Sequence, residues 1–242
     1  MAIVRVRPAD LKHALQTGAL SLHYQPQVEI KTGKLAGVEA FVRWPHAAYG
    51  MLGPSDIIPV VEQAGLHVEF DRWVVGMICR QAKKWRTDGV PVPIVAANIW
   101  SETLRRPDAL RLIDALAETG VNPKSIELEC PRGSTIDPHV TKALVAIKAL
   151  GVRLASEENA AGARPPWILS FDTLKIPYPI SRDHVANAAA IVAVVADSVE
   201  SVEQEAALAS LGVEIVQGYL YGPEVTPAEL RTLIRRPGAS PP

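Results

Sequence analysis

Gly37-Val38-Glu39-Ala40-Phe41-Val42-Arg43-Trp44 sets an acid and an arginine at alternating positions of an otherwise apolar run. In an extended strand, residues two apart share a face, so Glu39, Phe41 and Arg43 point one way and Val38, Ala40 and Val42 the other. Charged side chains aimed into a sheet interior are costly unless each has a partner or a ligand. The stretch predicts a strand that carries a cation or phosphate site on one face.

Outward from it, apolar strand-like runs recur at 22–28, 35–44, 93–99, 125–130, 152–156, 172–176, 190–196 and 213–220. Segments of helical period lie between several of them, at 57–65, 70–86, 109–119, 139–150 and 202–211. Pro107-Asp108 and Asp137-Pro138 suit helix starts, and Gly120 and Gly151 suit helix ends. Strands and helices alternating through 242 residues predict an α/β fold, a (β/α)8 TIM-like barrel, whose chemistry lies at the C-terminal ends of its strands. Polar residues fall at those ends: Asn98, Glu129, Glu157 and Glu158, Lys175, Asp197 and Gln217.

An apolar content of 48% suits one large core, and a formal net charge of −1 argues against duplex nucleic acid or an anionic membrane surface as a partner. The longest apolar run, Ala188–Ala196, has nine residues, whereas a membrane-spanning helix needs about 20. With no apolar segment of signal-peptide length at its start, the chain is expected to be cytoplasmic. Cys79 and Cys130 lie far apart and suit buried free thiols. The six histidines show no ligand spacing, so any metal is expected on oxygen ligands.

Glu39, Asn98, Glu129, Glu157, Glu158 and Asp197 would then meet at one barrel mouth, with Lys175 and Gln217 beside them. Such an all-oxygen set suits Mg²⁺ or Mn²⁺, and two such ions can activate a water and stabilise the leaving oxygen of a phosphodiester. A lysine among them can orient the water or offset phosphate charge.

Read in order, LHYQPQV (22–28), GVEAFVRW (37–44), DTLKI (172–176) and VQGYLYG (216–222) resemble the EAL-domain family of cyclic di-GMP phosphodiesterases, and the likeness runs from about residue 11 to 225. It implies a lead-in at 1–10, an EAL-type barrel domain at 11–234 and a flexible tail at 235–242. By resemblance, Glu39, Asn98, Glu129 and the pair Glu157-Glu158 match metal-ligand positions, and Asp197 matches a further acid near the metals. Lys175 matches the lysine that positions the water, while Gln25, Phe41, Arg43 and Gln217 match ligand-contacting positions. The resemblance implies cyclic di-GMP as ligand, Mg or Mn as cofactor, and a homodimer or a protein partner.

The chain departs from the family pattern at several points. Where the family reads close to DDFGTGYSS, this chain has Glu157-Glu158 followed by Asn159–Pro166, so two aspartates have become longer glutamates and the glycine-threonine turn is gone. Mg²⁺ demands near-ideal octahedral geometry, so moving a ligand by about one bond length can disable a bridging position. The acid of the family's TES pattern, which braces that loop, is replaced by Arg132, and its AEGVE becomes Ala196-Asp197-Ser198-Val199-Glu200. Only 21 residues separate Lys175 from Asp197, which predicts a crossover helix reduced to a turn around 181–189. These departures predict a catalytically inactive receptor of cyclic di-GMP or a protein-interaction module, with poor order at 159–166 and impaired metal binding. The alternative is an active Mg- or Mn-dependent phosphodiesterase that linearises cyclic di-GMP to pGpG.

Overall fold

The computed structural model describes residues 6–131, 137–157, 171–180, 185 and 193–234. The chain opens with helix α1 (Pro8–Thr17), the antiparallel pair β1 (Ser21–Glu29) and β2 (Leu35–His46), and a short strand β3 (Gly50–Leu52). Helices α2 (Pro54–Ala64) and α3 (His67–Thr87) lead to β4 (Val95–Asn98), α4 (Ser101–Leu104), α5 (Asp114–Thr119) and β5 (Ile126–Cys130). Then come α6 (Pro138–Ala149), β6 (Arg153–Glu157), β7 (Thr173–Pro177), β8 (Ala193–Asp197), α7 (Val202–Ser210), β9 (Ile215–Gln217) and α8 (Pro227–Ile234). Each of the eight expected strand runs forms a strand.

Those eight strands close into a barrel in the order β1-β9-β8-β7-β6-β5-β4-β2, with β1 pairing back to β2. Seven of them run parallel, but β1 is antiparallel to both its neighbours, β2 and β9. Alternation of side chains does not encode strand direction, so this reversal was not readable in the pattern. The hairpin strand β3, also unforeseen, pairs with the end of β2 outside the barrel wall. Helix α1 starts at Pro8, and Val6 before it is already buried in the core.

The register separates two interiors. Val38, Val95, Ile126, Leu128 and Leu154 face outward and pack beneath the helices, where all five are fully buried. A smaller apolar cluster joins Leu174, Ile176, Ala196, Leu208 and Val216 under α7. Burying a Leu or Ile side chain contributes about 1.5–3 kcal/mol, so this jacket between sheet and helices supplies the stability. The opposite face is unlike the apolar, layered filling common in such barrels: Gln25 pairs with Glu39, Asn98 with Glu129 and Glu157 with Lys175 across neighbouring strands.

Local chemistry sets the ends of these elements. Asp137 caps α6 by accepting from the backbone N–H groups of His139 and Val140, ahead of Pro138. Gly120 ends α5 in the left-handed conformation. The reduced crossover expected at 181–189 lies outside the described residues except for Val185, as do the segment 159–166, Arg132, Glu158 and the tail 235–242. Among the described residues no helix is long and apolar enough to cross a membrane.

Candidate functional site

Lys175 is the hub of the barrel mouth. It rises from the middle of β7, 4% exposed, and donates to Glu39 Oε2 at 2.5 Å and to Glu129 Oε2 at 2.8 Å. Asn98 Nδ2 donates to Glu39 Oε1 at 2.7 Å, and Gln217 Nε2 donates to Glu39 Oε2 at 2.6 Å. The Gln217 amide also reaches Gln25 Oε1, while Gln27 Nε2 donates to Gln217 Oε1, both at 3.0 Å. Strands β1, β2, β4, β5, β7 and β9 thus each contribute a side chain to one buried network.

Two glycines make room for it. A Cβ on Gly37 would stand 2.9 Å from Gln27 Oε1, so the absence of a side chain there lets Gln27 lie inside the barrel. Gly218, at φ +148°, packs against the backbone of Val199 where a Cβ would come within 2.3 Å, and Val199 N donates to the Gln217 carbonyl. That contact fixes the end of β9 and so aims Gln217.

The charge balance is uneven. Burial pushes the Glu129 carboxyl well above the usual range, and repulsion from Glu39 adds to it against the opposing pull of Lys175. Burial lowers Lys175, but Glu129, Glu39 and Asp197 outweigh it and hold the ammonium well above its ordinary value. Asp197 is raised by burial and by Glu39, with Lys175 opposing. Three acids therefore face one base. Glu129 Oε1, moreover, is buried with no hydrogen-bond donor.

An all-oxygen donor set with a spare buried lone pair fits a hard cation, and Glu39, Asn98 and Glu129 on adjacent strands are the residues that could hold one. Lys175 bonds directly to both glutamates, so ammonium and cation compete for the same oxygens. Among the described residues no three acidic, cysteine or histidine side chains stand together as a metal-binding group. Glu157 lies opposite Lys175 in the β6–β7 register but is exposed, and Glu158 falls outside the described residues.

Phe41 and Arg43 stand apart from the network. Phe41 lines a cavity of about 220 Å³ with Asn98, Trp100, Pro54 and Pro131. Arg43 makes an ion pair with Glu224 at 3.2 Å and donates to the Val42 carbonyl. One guanidinium therefore already has an acid as partner at the rim.

The EAL domain model matches residues 9–164. This chain belongs to the EAL domain family. It is 31% identical over 236 residues to the bifunctional diguanylate cyclase/cyclic di-GMP phosphodiesterase MucR of Pseudomonas aeruginosa, which covers 88% of this chain and 34% of that protein. It is 27% identical over 233 residues to the oxygen sensor protein DosP of Escherichia coli, covering 88% of this chain and 29% of DosP. The chain spans about a third of the length of the curated relatives it matches. The solved PaMucR phosphodiesterase in its c-di-GMP complex aligns with a TM-score of 0.81 at 27% identity, covering 92% of this chain and 98% of that one. The FimX EAL domain of Xanthomonas citri, solved with c-di-GMP, shares the fold with a TM-score of 0.75 at 22% identity, over 89% of this chain and 91% of that one.

In this EAL domain, Gln25, Glu39, Asn98, Glu129, Lys175 and Gln217 are brought together by direct bonds, and Asp197 faces them electrostatically. Gln27 and Asp71 were missed. Gln27 carried the same signal as Gln25, an amide two residues along an apolar strand. Asp71 sits on the buried stripe that continues through Val75, Ile78 and Ala82, where an acid should have stood out.

Proposed function

We propose that this EAL domain is a receptor for cyclic di-GMP, working through a bound state rather than through turnover. The observation that carries the reading is the position of Lys175: its ammonium is committed to Glu39 and Glu129 in the buried mouth. A lysine so placed offsets the charge of the carboxylates that would hold metal, and orienting a water would require it to give up one of these bonds. The departures in sequence support the same reading, because Glu157 is longer and Asp197 shorter than the acids of the family pattern they match, which alters the spacing around a metal. Phe41 with its apolar cavity suits a base, and Arg43 suits phosphate oxygens, through which a dinucleotide is held without being cut.

The alternative is a working Mg- or Mn-dependent phosphodiesterase yielding pGpG, and the orphaned Glu129 Oε1 together with three acids against one base favours it. Bound there, a divalent cation would supply Lewis-acid stabilisation of phosphate charge. Glu39, Asn98 and Glu129 would hold it, and Lys175 would have to turn away. Calorimetric titration with cyclic di-GMP, with and without Mg²⁺ or Mn²⁺ and with chromatography for pGpG, separates the two. Binding without product supports the receptor; pGpG formed at ordinary enzyme rates and abolished by Glu39→Ala overturns it. A chain that neither binds nor cuts would point to a protein partner.

A further inference from the structure

We infer that Asp71, on the first turns of α3, is the positioning residue that holds the β4 turn, and through it Asn98, in the mouth of the barrel. The inference rests on the receptor reading only where ligand affinity is the readout. Asp71 is completely buried, and its Oδ2 accepts from the backbone N–H of Trp100 at 3.0 Å. Trp100 follows Asn98 by two residues, so this bond fixes the chain immediately after the amide that donates to Glu39.

A second contact works from the same helix. The Trp100 indole meets the rings of Phe70 and His67 edge to face, each at 5.4 Å between centroids. Ring contacts of this kind hold the side chain but leave the peptide free to pivot about it. The carboxylate removes that freedom, because a hydrogen bond to the backbone constrains the peptide itself. Hook and ring together tie the exit of β4 to α3, and the cavity that Phe41 and Asn98 share with Trp100 takes its shape from that tie.

The rest of the Asp71 environment shows which form of the side chain suits the role. Its Oδ1 and the hydroxyl of Thr103 are both buried and neither completes a hydrogen bond. The two can satisfy each other in either form, the Thr103 hydroxyl donating to an ionised Oδ1 or accepting from a protonated one, with the other oxygen left for Trp100. Burial, with Glu102 adding repulsion, raises the carboxyl to about 7 against the smaller pull of Thr103 and the Trp100 amide, which favours the protonated form below that pH. An asparagine supplies the same donor and acceptor; a leucine of similar size supplies neither.

The ¹H–¹⁵N spectrum reads this without ligand. The Trp100 amide should be protected from exchange in the wild type, and the Asn98 side-chain amide should show the shift of a group bonded to a carboxylate. Asp71→Leu should abolish Trp100 protection and move the Asn98 signal, whereas Asp71→Asn should preserve both. Val75→Ala, a cavity in the same helix, controls for lost stability alone by leaving both signals in place. With cyclic di-GMP, Asp71→Leu should bind about tenfold more weakly and Asp71→Asn within about threefold, the size of one hydrogen bond between neutral groups. A folded Asp71→Leu with an unmoved Asn98 signal overturns the inference, and so does a wild-type Trp100 amide exchanging at the unfolded rate, which needs no variant. If the wild type fails to bind cyclic di-GMP, the receptor reading falls while the two amide signals still decide the role of Asp71.

Discussion

Two buried acid–base clusters share the inside of this barrel, one above the other, and they are built differently. In the lower one, Glu127 Oε2 accepts from Arg153 Nε at 3.0 Å and from Thr173 Oγ1 at 2.7 Å, while Arg153 Nη2 reaches Thr173 Oγ1 at 3.3 Å. One acid meets one base, and Arg153 keeps 24% of its side chain in solvent. In the upper one, Lys175 serves Glu39 and Glu129 with Asp197 nearby, and an oxygen of Glu129 is left without a donor. The lower cluster is balanced and satisfied; the upper one carries more acid than base and leaves a buried acceptor open. Composition alone does not distinguish them, since both are glutamates facing a base inside a sheet.

The contrast is tested most severely by removing each base. Lys175→Met should cost about 3–5 kcal/mol in urea denaturation, because it strands two buried carboxylates. Arg153→Met should cost less, about 1–3 kcal/mol, since it strands a single buried carboxylate, Glu127, which keeps its bond from Thr173. Equal losses would mean that the two clusters play the same structural part.

A fourth buried carboxyl, Asp71, has no base at all, and its effect should appear as a slope with pH. Its folded form holds the proton up to about 7 against an ordinary 3.8, so its contribution is complete below about pH 4 and is lost as pH rises through about 7. Asp71→Asn cannot ionise and should gain on the wild type across that window, by up to about 4 kcal/mol. Parallel stability–pH curves for the two proteins would show that Asp71 does not titrate there.

At the rim, Arg43→Ala should weaken cyclic di-GMP binding by about 10- to 100-fold if the guanidinium exchanges Glu224 for phosphate, as charge-assisted bonds contribute about 1.5–3 kcal/mol. Unchanged affinity in a calorimeter would confine Arg43 to its ion pair. The smallest effect separates the two glutamates of β5. Glu129→Gln removes repulsion from Glu39 and should stay within about 1 kcal/mol of wild type, whereas Glu127→Gln weakens its bonds to Arg153 and Thr173 and should cost slightly more. The reverse order in thermal denaturation would erase the distinction between the clusters.

Much of this arrangement was legible in the residues. Alternation in 37–44 placed Glu39 inside the sheet, and polar residues closing apolar runs located Asn98, Glu129, Lys175 and Gln217 at one mouth. What periodicity conveys is a face and not a partner. Glu127 and Glu129 share a face, and only the staggered registers of β5, β6 and β7 show that one meets Arg153 and the other Lys175. The partner of Arg43, Glu224, comes from the far end of the chain, and the partner of Asp71 is a backbone N–H that no side-chain pattern can announce.

The reversed first strand has a mechanical side. Because β1 runs against its neighbours, Ser21 at its beginning stands level with Arg43 at the rim, and the chain enters the barrel from the mouth. A parallel first strand would have placed α1 at the opposite end. As built, α1 packs on α2, which also walls the cavity beside Phe41 through Pro54 and Ile58. Tension or torque applied to α1 therefore acts at the rim through a short lever, with no need to travel the length of the strands.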